Sequence, residues 1–325
     1  MAITLNEMKV GMSDKIAQQV VDTFVRESEV LELLPFDNAV SPSGGSTLTY
    51  GYIQKKIPGQ TAFRAINAEY AASQATVEKK SVDLKVFGGA FEIDRVIKQA
   101  EGMYNNMAFQ LEEKIKSAIG TFHNPMINGV ATQNATEFDG LDKFLVGQDT
   151  EFNTEAAIDL STMAKLKENA DVFYEALTNL INATAADAIF VNIDMKTKIQ
   201  TVARVLGYKT ESEEAFGRTI TKIDKVRIID LGNVVKVDGE TVTEEPIIKK
   251  LTRDAGTGLT DIYAVKFDVN DGFHGVTLTG NNAISQYLPD FNAPGAVKKG
   301  EVEMVAAVAL KNVKHAGVLR NVKIV

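Results

Sequence analysis

The 325-residue chain has no cysteine, no tryptophan, three histidines and seven prolines. Without thiols it can build neither a disulfide framework nor a thiolate metal site, which is consistent with a reducing compartment. His123, His274 and His315 are far apart in sequence, so a zinc site would need carboxylates that no spacing singles out. No apolar run approaches the roughly 18 residues of a membrane span. The opening MAITLNEMKVGMSDKIAQQV lacks the basic-then-apolar order of a secretion signal, so neither export nor membrane insertion is expected, and the sequons at Asn134 and Asn182 read as fortuitous. Basic residues number 35 against 43 acidic ones, a net charge of -8, and they are scattered singly or in pairs. That argues against a protein that grips nucleic acid by neutralising phosphates, which needs a basic stripe, and leaves open a wall that merely encloses it.

Catalytic motifs are missing as well. There is no G-x-S-x-G, and RDAGTGL at 253–259 lacks the lysine and hydroxyl residue that follow the glycines of a phosphate loop. DVNDG at 268–272 lacks the alternating acids and closing glutamate of a calcium loop and reads as a turn. Glu112 and Glu113 are adjacent on a helix and point in different directions. The sequence assigns no catalytic residue, no metal and no cofactor, and no enzymatic activity is expected.

What is present centres on Ser46 to Gly129, which reads as a long β-hairpin feeding a long helix. STLTYGYIQ sets Leu48, Tyr50 and Tyr52 on one face, and TVEKKSVDLKVF returns with Val82, Leu84 and Val86, the period of two of half-buried strands. Between them lies IPGQTAFRAINAEYAAS, punctuated by Pro58-Gly59. Arms of about 15 residues would extend on the order of 50 Å, more than twice the radius of gyration of a compact chain this long. A projecting two-stranded hairpin is marginal alone and leaves both edges unpaired, so it is expected to lie on another copy of the chain. Gly88-Gly89 predicts a bulge that shifts the apolar positions to Phe91 and Ile93. Asp94 then caps a short helix, and Gly102 separates it from an amphipathic helix with Met103, Met107, Leu111, Ile115, Ala118 and Phe122 on its buried stripe. His123-Asn124-Pro125 and Asn128-Gly129 are expected to end it.

Around this element, Ser13 to Leu34 suggests one or two N-terminal helices stopped by Pro35, and Asp37 to Gly45 a flexible entry to the hairpin. Val130 to Glu155 reads as loops with one apolar segment, LDKFLV. A helix from Ser161 or Thr162 through Leu180, a strand at Ala188 to Ile193 and a helix capped by Asp194 and ended by Gly207 then imply a small sheet covered by helices. YKTESEEAFGRT reads as a surface loop, KVRIIDL as a strand and NVVKVDGETVTEE as a hairpin. From Asp261 the tail is mostly β and is expected to pack on the long helix rather than extend the middle region.

This α+β succession resembles the major capsid proteins of tailed bacteriophages, those with the HK97-like fold. It is carried by STLTYGYI with KKSVDLKVFGGAFEID as the extended hairpin loop, NMAFQLEEKIKSAIGTFHNPMING as the spine helix, AADAIFVNIDMKTKIQTVARVLG as the middle strand and helix, and DIYAVKFDVNDGFHGVTLTG with the tail ending in RNVKI. The resemblance spans essentially the whole chain and lies in the order and spacing of these elements. It implies an N-terminal arm (1–45), an extended hairpin loop (46–90), a peripheral domain with the spine helix and β-rich return (91–159 and 255–325) and an α/β axial domain (160–254). It further implies hexamers and pentamers that close an icosahedral shell around double-stranded DNA held without sequence-specific binding. Such a subunit belongs to the virion and is assembled in the host cytoplasm beside a portal and decoration proteins. With only about 45 residues before the hairpin, scaffolding is expected from a separate protein.

On this sequence the implied inter-subunit arm includes Tyr50, Tyr52, Lys55, Lys56, Phe63, Arg64 and Tyr70, and the spine core is Met107, Leu111, Ile115 and Phe122. One chain would adopt the several conformations of a closed shell by bending at Pro35 to Gly45 and near Gly88-Gly89. Some members cross-link an arm lysine to an asparagine; Lys55, Lys56, Asn292, Glu301 and Glu303 supply the residue types, but as common surface residues they do not predict the bond. Two alternatives stand beside the viral shell: an encapsulin-like nanocompartment, and a soluble α+β binding domain or enzyme.

Overall fold

The structure, a computed structural model, describes residues 29–41, 47–99, 106–153, 155–207, 211–215, 218–223, 225–238, 241–278 and 284–325. Most of the expected N-terminal helix, the end of the entry segment at Gly45, and Gly102 and Met103 lie outside the described residues. In chain order, helix α1 (Glu29–Leu33) and strand β1 (Phe36–Val40) precede the hairpin of β2 (Thr49–Ile57) and β3 (Thr76–Asp83) and then β4 (Lys85–Asp94). Short α2 (Arg95–Gln99) leads to long α3 (Asn106–Asn128), α4 (Leu141–Leu145) and the brief β5 (Glu151–Phe152) and β6 (Ile158–Asp159). The middle region holds α5 (Met163–Thr184), β7 (Ala188–Val191), α6 (Ile193–Leu206), β8 (Glu211–Ala215), β9 (Arg218–Ile223), β10 (Val226–Asp230), β11 (Asn233–Asp238) and β12 (Thr241–Pro246). The tail adds β13 (Leu251–Arg253), β14 (Gly256–Val265), β15 (Phe273–Leu278), β16 (Ile284–Tyr287), β17 (Val297–Leu310) and β18 (Ala316–Lys323).

Helices form where apolar spacing and capping agree. In α5, Thr162 accepts from the Lys165 N–H, and Leu166, Phe173, Leu177 and Leu180 are buried at three- and four-residue spacing. The N-cap of α6 is Asn192, not Asp194: β7 ends at Val191, so Asn192 is the last extended residue, and its side chain accepts from the Met195 N–H. Asp194 falls in the first turn instead and pairs with Lys250 at 2.6 Å. Gly207 closes the helix with a φ of 78°, the left-handed conformation that glycine adopts without strain.

Two large sheets organise the chain. A five-stranded sheet runs β1-β15-β17-β16 with β4 on the other edge of β17, and a nine-stranded sheet runs β5-β18-β14-β7-β10-β9-β8 with β13 on β14 and β6 on β18. The all-buried β7 serves two cores by alternation. Ile189 and Val191 face α5 and α6, whereas Ala188 and Phe190 face the core shared with α3 and the five-stranded sheet. The tail is therefore divided: β15, β16 and β17 build the sheet against α3, while β14 and β18 extend the middle sheet beside β7. The expectation that the whole tail packs on the long helix is corrected on this point. Short runs such as LTDIYAV and VLRNVKIV carry apolar residues on both faces, and periodicity alone does not say which sheet such strands join.

Four further expectations are corrected. Phe36–Val40 is a strand parallel to β15 rather than a flexible entry, because Phe36 packs against Phe122 and Val40 is buried. YKTESEEAFGRT contributes the antiparallel pair β8–β9 rather than a loop. α3 runs through the expected stop at His123-Asn124-Pro125 and ends at the other, Asn128-Gly129, where the Gly129 N–H bonds the Pro125 carbonyl. Gly88-Gly89 makes no bulge: β4 pairs with β17 in unbroken register from Lys85↔Ala306 to Asp94↔Val297. The change of phase falls earlier, at Leu84, whose N–H closes the hairpin on the Leu48 carbonyl. Val82 and Leu84 are buried before it, whereas Val86 is exposed and Phe91 and Ile93 are buried after it. Gly88 serves close approach instead, since a Cβ there would lie 2.0 Å from the Val302 carbonyl oxygen.

Along α3, Leu111, Ile115, Ala118 and Phe122 are buried and Met107 is half-buried. Phe122 is the aromatic node of this core, with ring centroids 5.9–6.2 Å from those of Phe36, Phe87, His123 and Phe138. A second fixed point is ionic. Arg320 on β18 donates to Glu151, Asp142 and Asp261 at 2.8, 2.5 and 2.8 Å, and Arg253 grips Asp261 through two bonds of 2.6 Å. The Tyr263 hydroxyl donates to Asp142 at 2.9 Å. These bonds tie α4, β5 and β13 to the β14–β18 pair and satisfy charges that burial would otherwise penalise heavily.

Replacing Gly88 by alanine should cost about 2 kcal/mol or more in urea unfolding, since backbone rather than a flexible side chain must yield. Unchanged stability would contradict the close approach. Burial pushes the pKa of His123 down to about 4 from its ordinary 6.5. Between these values the unfolded chain binds a proton that the folded chain refuses. The resulting stability, about 3 kcal/mol, is complete above about pH 6.5 and lost as pH falls toward 4. His123→Gln should flatten that part of the stability–pH curve, and an unaltered slope would refute the assignment.

Candidate assembly surface

The β2–β3 hairpin forms its own two-stranded sheet, paired from Thr49↔Asp83 to Ile57↔Thr76, and joins neither large sheet. Its ladder is nine and eight residues long, shorter than expected, because residues from Lys85 onward belong to β4 and the body of the protein. Alternation along β2 roots it. The buried Tyr50 donates to Asp37 at 2.7 Å, Tyr52 to the Leu310 carbonyl at 3.0 Å, and the Gln54 amide to the Lys311 carbonyl at 3.1 Å. Burial raises the pKa of both tyrosines, and for Tyr50 the bond to Asp37 adds to it, so both phenols stay protonated as donors. Tyr50 also meets His274 edge-on at 5.8 Å between ring centroids.

Beyond this root the hairpin leaves the body. Every residue from Lys55 to Val77 is exposed in the single chain, including Lys56, Phe63, Arg64 and Tyr70. Apolar residues are frequent among them: Ile66 is 91% exposed, Val77 66%, and Ile53 just before them 74%. The tip is held by its own contacts, Gln60 with Ser73, Arg64 with the Ala65 and Ala68 carbonyls, and the Arg64 guanidinium 5.2 Å from the centre of the Tyr70 ring. An exposed apolar patch of this extent on a two-stranded ribbon marks a surface made to be covered.

The structure thus brings Tyr50 and Tyr52 to the root, sets Lys55, Lys56, Phe63, Arg64 and Tyr70 along the exposed arm, and places Met107, Leu111, Ile115 and Phe122 on α3 in the body. Sequence reasoning missed Gln54, although it continues the alternation of Tyr50 and Tyr52. It also missed Asp261 and Arg320; Asp261 carried a signal, being the one charge of β14, set among apolar residues, the mark of a buried pair. Among the described residues no group of three or more His, Asp or Glu side chains is placed to hold a metal ion. Among the same residues no helix is long and apolar enough to cross a membrane.

The sequence matches no family model and no curated protein. Its fold matches solved shells. Against the holo-SrpI encapsulin complex from Synechococcus elongatus PCC 7942, the TM-score is 0.57 at 11% identity over 90% of this chain and 87% of that one. Against the capsid of a native GTA particle it is 0.58 at 10% identity over 90% and 89%. Against a virus-like particle from Pyrococcus furiosus it is 0.51 at 10% identity over 94% and 98%. With likeness to these shells extending over nine-tenths of its length, the chain has the HK97-like capsid fold.

Proposed function

We propose that this chain is the major capsid protein of a tailed-bacteriophage head, assembling as hexamers and pentamers into an icosahedral shell around double-stranded DNA. The observation that carries the reading is the exposed arm from Lys55 to Val77, whose apolar residues are left uncovered by the described residues of their own chain. A neighbouring copy supplies that cover, and repetition around a closed ring removes free edges. In this reading residues 1–45 are an N-terminal arm, 46–90 the extended loop, 91–159 with 255–325 the peripheral domain and 160–254 the axial domain. Because β14 and β18 share a sheet with β7, the last two are joined through one continuous sheet. Bending then falls at Leu84, where the hairpin parts from β4, since Gly88-Gly89 is locked in the β4–β17 ladder. The subunit itself is not an enzyme; a separate scaffold, a portal and decoration proteins are its partners, and the assembled particle is the virion.

A protein nanocompartment is the second reading, favoured by the likeness to an encapsulin complex. The contents of native particles separate the two: packaged double-stranded DNA for the first, a cargo enzyme for the second.

Deleting Gly59 to Ala72 should leave a folded chain with an unchanged thermal transition, because it removes only exposed residues. The same variant should fail to form closed particles by electron microscopy and sedimentation under conditions in which the full chain forms them. Closed shells from the deletion would overturn the role of the arm.

A further inference from the structure

Between the root of the hairpin and the body lies a groove of about 640 Å³. Its walls carry five lysines, Lys55, Lys56 and Lys80 from the hairpin and Lys143 and Lys314 from the body, against two carboxylates, Glu78 and Asp149. On a chain of net charge -8 this is a local excess of positive charge. Part of it is already neutralised: Glu78 lies 3.3 Å from Lys80 and 3.7 Å from Lys56, and Lys143 lies 2.7 Å from Asp139. Lys55 and Lys314, from opposite walls, have no carboxylate partner among the described residues. Thr150 also lines the groove; it is only 6% exposed, and its hydroxyl has no hydrogen-bond partner. The buried hydroxyl is left unsatisfied, and two unpaired, solvent-exposed ammonium groups on the same groove make an anionic oxygen ligand the matching occupant.

We infer that this groove seats carboxylate side chains of a second copy of the chain. The inference rests on the shell reading above and adds to it a specific, charged contact at the base of the arm. Three features favour protein carboxylates over a phosphate backbone. No arginine lines the groove, so the planar fork suited to phosphate is absent from it, and Glu78 and Asp149 would repel a multiply charged ligand. Each copy also presents matching acid: Asp171 and Glu175 are exposed at four-residue spacing on α5, beside Glu168, which already pairs with Lys165 at 2.8 Å. Finally, one wall of the groove is the hairpin itself, so an occupant from the neighbour would fix the arm's angle as well as its contact.

The test uses particles assembled from a mixture of unlabelled and ¹⁵N-labelled full-length chains, treated with a zero-length carbodiimide that joins lysine to carboxylate, and mapped by mass spectrometry. Lys55 or Lys314 should be found coupled to an aspartate or glutamate with mixed isotopes, the signature of a contact between copies. In parallel, the double variant Lys55→Glu, Lys314→Glu should raise the concentration needed for assembly at least about tenfold while its thermal transition stays unchanged. Couplings confined to one isotope, couplings that appear only after nuclease treatment, or assembly of the double variant like the parent would each overturn the inference while leaving the shell reading intact. A full-length chain that forms no particles fails the shell reading itself, and the groove assignment falls with it.

Discussion

The pairing of β4 with β17 is the constraint on which the rest depends. It joins the strand that leaves the hairpin to the strand that returns near the end of the chain, ten residues in one register. The other edge of β17 carries β15 and β16, and β15 carries β1, so one ladder sets the position of three more strands. It also aims α3, because Phe87 on β4 stacks on Phe122 with centroids 6.0 Å apart. Partners separated by about 200 residues make this a costly contact to close during folding, one rewarded only when both sheets and the spine are in place. Gly88 permits the closest approach within it.

Once that ladder is set, the hairpin has nowhere to go but outward. Leu84 reverses the phase of the strand, so the body keeps the β4 face and the hairpin is left as a separate ribbon held by Tyr50, Tyr52 and Gln54. The root is thus specified by side-chain hydrogen bonds, while the apolar residues of the arm find no partner among the described residues of their own chain. A monomer in this state is incomplete, and the shell reading follows from that incompleteness more than from any single residue. Weak contacts repeated many times suit such assembly, because each can be undone and corrected before the shell closes.

Much of this was legible in the sequence because alternation and helical spacing are local. The stripe of Leu111, Ile115, Ala118 and Phe122 gave the spine, and Leu166, Phe173, Leu177 and Leu180 gave α5, since burial on one face needs those spacings whatever the tertiary partner. What was not legible is pairing between distant strands. The largely apolar β14 and β18 carry no mark of which sheet they enter, and β1 has the composition of a linker, its strand resting on the packing of Phe36 against Phe122. The glycines at 88 and 89 were legible as special but not for their reason, since bulge and close approach leave the same sequence signature. In the candidate surface, the arm residues could be named from Tyr50 to Tyr70, whereas the lysine groove could not. It exists only because Lys314 and Lys143 are folded against the hairpin.

The central claim is that the arm from Lys55 to Val77 is bare in the free chain and covered in the assembly. Hydrogen-exchange mass spectrometry on assembled and unassembled full-length protein addresses it directly. The account predicts that peptides across residues 55–77 exchange within seconds in the unassembled chain and gain strong protection in particles, while peptides of α3 stay protected in both. Equal, rapid exchange of the arm in both states would contradict it.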